Sequence, residues 1–148
     1  MNIPQLVQNA LATFLKTQNL GDIPVAQVYR GIQHDIDDQV EKQILAPCII
    51  CNCQDADFIA NYSGNQTAKA TISVVSNADD TSHDDHQQRV TIVWNLLLTD
   101  TIAADLSNAI SDFTASLVVP KDQGWEFAAR RWISHLNLAI NCAPFDYV

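Results

Sequence analysis

The sequence contains no apolar run approaching the length of a membrane span. Its first residues, Met-Asn-Ile-Pro-Gln, lack the basic stretch that precedes the apolar core of a secretion signal. A soluble protein made in the cytosol is expected, and the Asn-x-Ser/Thr matches at Asn61 and Asn65 are then chance. Basic residues are scarce: eight Lys and Arg stand against 17 Asp and Glu, a formal net charge of -9. Nucleic-acid affinity comes mostly from cations displacing counterions, so this balance argues against tight DNA binding. It is compatible with an acidic wall past which DNA moves without adhering. There is no Gly-x-Ser-x-Gly elbow, no glycine-rich phosphate loop and no HExxH, so serine hydrolases, phosphate-loop enzymes and zinc proteases lose their usual sequence support. No internal repeat is apparent.

What is present suffices for one core. The 148 residues are 47% hydrophobic and only 17% charged, which predicts a single folded domain over 1–148 rather than a disordered chain. Leu6, Val7, Ala10, Leu11, Phe14 and Leu15 recur at helical spacing behind Pro4, predicting a first helix that ends near Asn19-Leu20-Gly21. Ile23, Val25, Val28 and Tyr29 suggest a short extended segment, and the polar stretch within Gly31 to Ile44 reads as loop. Pro47 to Cys53 is compact and β-favouring, and Thr67 to Val75 alternates apolar with polar residues, so two antiparallel strands are expected there. A second helix is expected from about Ser82 to Leu98, on the stripe Val90, Val93, Trp94, Leu97 and Leu98, although Val90-Thr-Ile-Val also has strand character. A short helix around Ile102 to Ile110 follows. Ala115 to Val119 is an apolar run stopped by Pro120, with a turn at 121–124, and Trp132 to Cys142 alternates as a half-buried strand. The predicted class is α+β, a mostly antiparallel sheet with helices packed on one face.

Two clusters could carry chemistry. His83-Asp84-Asp85-His86 follows Asp79 and Asp80, and imidazoles at i and i+3 on a helix can meet one metal ion. A small metal-dependent hydrolase built on His83, Asp84 and His86 would need a further ligand, such as His34, Asp35, Asp37 or His135. The competing reading makes the same residues a helix start: Thr81 or Ser82 caps the exposed amides, while Asp84 and Asp85 complement the positive end of the helix dipole. Cys48, Cys51 and Cys53 could form a soft-metal knuckle or a redox pair, but Ile49 and Ile50 between them favour packing as buried thiols. No cofactor site is expected. Trp94 lies on the helical stripe and is assigned to the core; Trp125, beside Gly124, is the candidate interface residue.

The segment from Ile72 to Leu98 resembles the central part of small head-to-tail connector and tail terminator proteins of long-tailed bacteriophages. In that family a strand runs into a short acidic loop, then into a helix that begins with Asp and His and continues apolar. The stretch Arg130-Arg-Trp-Ile-Ser-His-Leu-Asn-Leu-Ala-Ile resembles the family's closing Arg-x-Trp strand. The clustered cysteines and the HDIDDQ stretch depart from the family pattern. The resemblance implies a non-enzymatic α+β virion subunit in the tail or neck. It would form a homo-oligomeric ring, often a hexamer, between tail tube and head connector proteins. DNA would pass through the lumen without tight binding, with no metal, cofactor or membrane involved.

Overall fold

The computed structural model describes residues 2–31, 44–58 and 64–144. Helix α1 (Ile3–Lys16) is followed by a 3-10 turn (Val25–Gln27) and strands β1 (Val28–Arg30), β2 (Cys48–Phe58) and β3 (Gln66–Asn77). Helices α2 (His83–Leu97) and α3 (Ile102–Ala109) come next, then strands β4 (Phe113–Ala128) and β5 (Arg131–Pro144). The strands form one sheet in the order β1-β2-β3-β5-β4, in which only β1 and β2 run parallel. This is an α+β fold with a mostly antiparallel sheet. The polar HDIDDQ stretch, with His34, Asp35 and Asp37, lies outside the described residues.

Helix α1 starts where its sequence supplies a reciprocal cap. The Asn2 side chain accepts from the Gln5 amide at 3.0 Å, and the Gln5 side chain accepts from the Asn2 amide at 3.1 Å. Its whole predicted stripe, from Leu6 to Leu15, is buried. After the helix Gly21 takes φ +67, and a Cβ there would approach Ile92 to 2.8 Å, so the connection needs glycine. Gln8, on the buried side of α1, fastens the helix to the sheet. It donates to the Cys53 carbonyl at 3.0 Å, beside a bulge in β2, and accepts from the Gly31 amide at 2.8 Å.

The helices cover one sheet face. Ile49, Cys51 and Cys53 of β2, Ala68, Ala70, Ile72 and Val74 of β3, and Leu136, Leu138, Ile140 and Cys142 of β5 all enter the core, as a period of two requires. Each large aliphatic chain among them contributes about 2 kcal/mol by leaving water. Among the described residues the opposite face carries a second apolar cluster, Ile44, Cys48 and Val75 with Tyr29, Ala46, Ile50 and Ile133 packed against it, and beside it a ladder of short polar side chains. In that ladder Thr67 bonds Asn141, Thr71 bonds Asn137, and Ser73 bonds His135. Cys48 therefore lies on the face away from Cys51 and Cys53, and the three sulfurs do not converge. All four cysteines are buried and none is in a disulfide, and burial pushes the Cys48, Cys53 and Cys142 thiols up to about 12.

Leu98, expected on the apolar stripe of α2, is 47% exposed because the helix ends at Leu97, and Val25, expected in an extended segment, opens the 3-10 turn after Pro24. A further expectation fails in β4. Neither Pro120 nor the Lys-Asp-Gln-Gly sequence after it interrupts the strand: β4 continues to Ala128, and Trp125 lies within it rather than beside a turn. Two features make this possible. Strand β4 is an edge strand, so an imino acid at Pro120 need not break the ladder, and the register shifts between Pro120 and Asp122 take up the irregularity. The true turn is Ala129-Arg130, between the paired Ala128 and Arg131, with φ +52 and +60. Positive φ at both central residues is the primed-turn geometry normally supplied by Asn-Gly.

Replacing Ala129-Arg130 by Asn-Gly is expected to raise stability by roughly 1 kcal/mol, because the left-handed conformation costs a residue with a full side chain about 1–2 kcal/mol. Ala129→Val should lower it. Urea unfolding of the three proteins checks this, and equal midpoints would remove the assigned strain.

Candidate functional site

The junction from β3 into α2 is where polar side chains meet the core. Ser82 caps the helix, its hydroxyl accepting from the Asp85 amide at 3.1 Å, and Asp84 and Asp85 stand exposed in the first turn. One turn later His86 is 1% exposed. Its Nδ1 lies 2.8 Å from the Ser76 hydroxyl at the end of β3, and its Nε2 lies 2.9 Å from the Ser134 hydroxyl of β5. A neutral ring has one donor and one acceptor nitrogen, and each hydroxyl can complement either, so both are satisfied. Burial, reinforced by nearby His83 and Arg89, lowers the His86 pKa to about 4. The ring is uncharged at neutral pH.

Arg89, the next polar residue on this side, extends the network. It donates to Ser76 at 2.9 Å and Thr81 at 3.1 Å, and holds Asp22 through two bonds of 2.9 and 2.8 Å. These bonds from Arg89 keep the Asp22 carboxyl below its usual range. The α1–β1 connection, both ends of the β3–α2 junction and β5 are thereby joined through one chain of hydrogen bonds.

His83 faces elsewhere. Its ring centroid lies 5.2 Å from that of Trp125 and 5.0 Å from that of Trp132, and Phe127 packs on Trp132 at 4.8 Å. The Trp132 indole donates to the Thr81 carbonyl at 3.0 Å, fixing this aromatic group to the start of α2. Trp94 is buried and donates to Gln123. Trp125 is 59% exposed and Phe127 53%.

The residues considered for a metal site are thus separated by their partners. Both His86 nitrogens are engaged by serines, whereas His83 packs against tryptophans. His135 lies on the far sheet face between Ser73 and Glu126, at 2.8 and 3.5 Å. Among the described residues no three His, Cys, Asp or Glu side chains converge as a metal would require. Sequence reasoning missed the grouping of Phe127 and Trp132 with Trp125 because it did not foresee the hairpin. Once β4 and β5 are paired, alternation puts Trp125 and Phe127 on one face, with Trp132 directly across from Phe127.

The buried imidazole sets a pH dependence. Unfolded, His86 titrates near 6.5; folded, near 4. Between these values the unfolded chain binds more protons, so the contribution present above pH 6.5 is lost as pH falls toward 4, by up to roughly 3 kcal/mol. His86→Asn should be less stable than the parent at pH 7 and lack this part of the acid slope. Parallel urea-stability curves for the two proteins from pH 7 to 4.5 would contradict the assignment.

By sequence, the chain matches no protein-family model and no curated protein. By structure, it is similar to a chain in the virion of a native gene transfer agent particle. The TM-score is 0.63 at 12% identity, covering 93% of this chain and 94% of that one. At that identity the likeness shows a shared fold.

Proposed function

We propose that the chain is a structural virion subunit of a phage-like particle, without catalytic activity. The observation that carries this reading is the near end-to-end fold likeness to a chain of a virion. The resemblance of Ile72–Leu98 to tail terminator and connector proteins points the same way on the ground of sequence pattern. On the finer level, the subunit forms a homo-oligomeric ring, six-fold by the family pattern, at the head–tail junction. There it completes the tail between tail tube and head connector, and DNA passes through its lumen.

The chemistry is compatible with that role. A formal charge of -9 gives passing phosphates few cations to hold them, and the polar ladder on the sheet face away from the helices is already bonded to itself. His86, Arg89 and the Ser82 cap act as structural fasteners that fix α2, and Trp125 is the candidate interface residue.

Native mass spectrometry and negative-stain microscopy of the purified protein are expected to find a closed cyclic assembly, and duplex DNA should not be retained at physiological salt. A strictly monomeric protein at all accessible concentrations would overturn the ring.

A further inference from the structure

The far end of the β4–β5 hairpin is unlike the rest of the surface. Every residue of β4 from Pro120 to Ala128 is exposed, although the strand stays in register with β5 from Asp122 onward. Among the described residues no strand lies outside β4. Proline and bulges are the usual guards of a free edge, and here they sit at or before Lys121. Asp122 to Ala128 is therefore seven residues of regular edge without proline or bulge, guarded by the exposed carboxylates of Asp122 and Glu126, which disfavour an acidic strand and admit a basic one.

This edge carries anchors. Trp125 and Phe127 project on its helix side, more than half exposed yet held by Trp132 and His83, so their orientation is fixed before any partner arrives. Beside Trp125 a cleft of about 280 Å³ opens between α2 and β4, walled by Gln87, Val90 and Trp94 and floored by Ser134. A Cβ added at Gly124, on its rim, would meet nothing within 4 Å. The cleft suits one apolar side chain.

Charge decides between occupants. Asp79 and Asp80 precede α2 and Asp84 and Asp85 stand in its first turn, on either side of His83, which packs on Trp125 and Trp132; the nearby cation Arg130 is itself 3.7 Å from Asp79. A second copy of the chain brings a net charge of -9 to this acidic rim. A cationic segment gains both from the carboxylates and from the exposed tryptophan face.

We propose that Asp122–Ala128 is a docking strand for a basic, extended segment of another protein. That segment pairs with the free β4 edge, seats one apolar side chain in the cleft beside Trp125 and meets the acidic rim with Lys or Arg. The inference rests on the virion reading only for where the partner is found; the binding chemistry comes from the hairpin itself.

The probe is a ten-residue peptide alternating Lys and Val, with a Glu–Val peptide of equal length as control. Binding is followed by tryptophan emission and by backbone amide shifts on the full chain. The Lys–Val peptide is expected to shift the Asp122–Ala128 amides and to bind more weakly as salt rises. Trp125→Ala should weaken binding about tenfold, and Asp84→Asn with Asp85→Asn severalfold. Asp55→Asn with Asp57→Asn at the far end of β2 should change nothing. Equal binding by Trp125→Ala, or by the Glu–Val peptide, overturns the proposal. So does self-association of the parent that Trp125→Ala removes. A monomer that binds the peptide refutes the ring alone, and a ring that ignores the peptide refutes the docking strand alone.

Discussion

The seating of α2 depends on one buried imidazole. The first half of this helix, His83 to Arg89, offers the core almost nothing apolar, and hydrophobic burial begins only at Val90. His86 bridges that gap: held between hydroxyls from β3 and β5, it lets a polar helical turn lie against the sheet without an unsatisfied group. Among the described residues every buried side-chain nitrogen and oxygen has a partner. Arg89 completes the seat from the flank, and with it the α1–β1 connection is held in place. If the ring were charged, one serine would have to serve a second donor in a site that disfavours the cation, and the junction would loosen.

Much of this was legible in the residues. The stripe of α1 and the alternation of β3 and β5 follow directly from burial on one side, the strongest signal a sequence carries. The burial of His86 was also written there: four positions before Val90 and seven before Val93, it continues the buried stripe of α2 toward its start. The eye is drawn instead to its spacing from His83, which reports that two imidazoles are near each other along the helix and nothing about what each one touches. Spacing could therefore suggest a metal site, while the serines that occupy His86 come from 10 and 48 residues away.

Strand β4 is hidden in the sequence for a different reason. Pro120 and the Lys-Asp-Gln-Gly sequence are breakers in the interior of a sheet, but an edge position and a bulge remove the penalty, and neither is a local property. The hairpin turn was silent because Ala129-Arg130 has none of the residues that prefer positive φ. Parallel pairing of β1 with β2 likewise depends on where the chain returns after Gly31, not on the three residues of β1. The aromatic group at the hairpin end inherits both difficulties, since it exists only once β4 is long and β5 folds back on it.

The arrangement of the cysteines decides how the fold responds to its redox surroundings. Two of the sulfurs, Cys53 and Cys142, flank the small side chains of β3 under the helical layer, and Cys48 is sealed on the other side. A thiol that stays protonated and has no path to solvent is neither a nucleophile nor a target for oxidants. The thiols of the folded chain are therefore indifferent to a change from reducing to oxidising surroundings, and the fold needs no disulfide to hold its layers together.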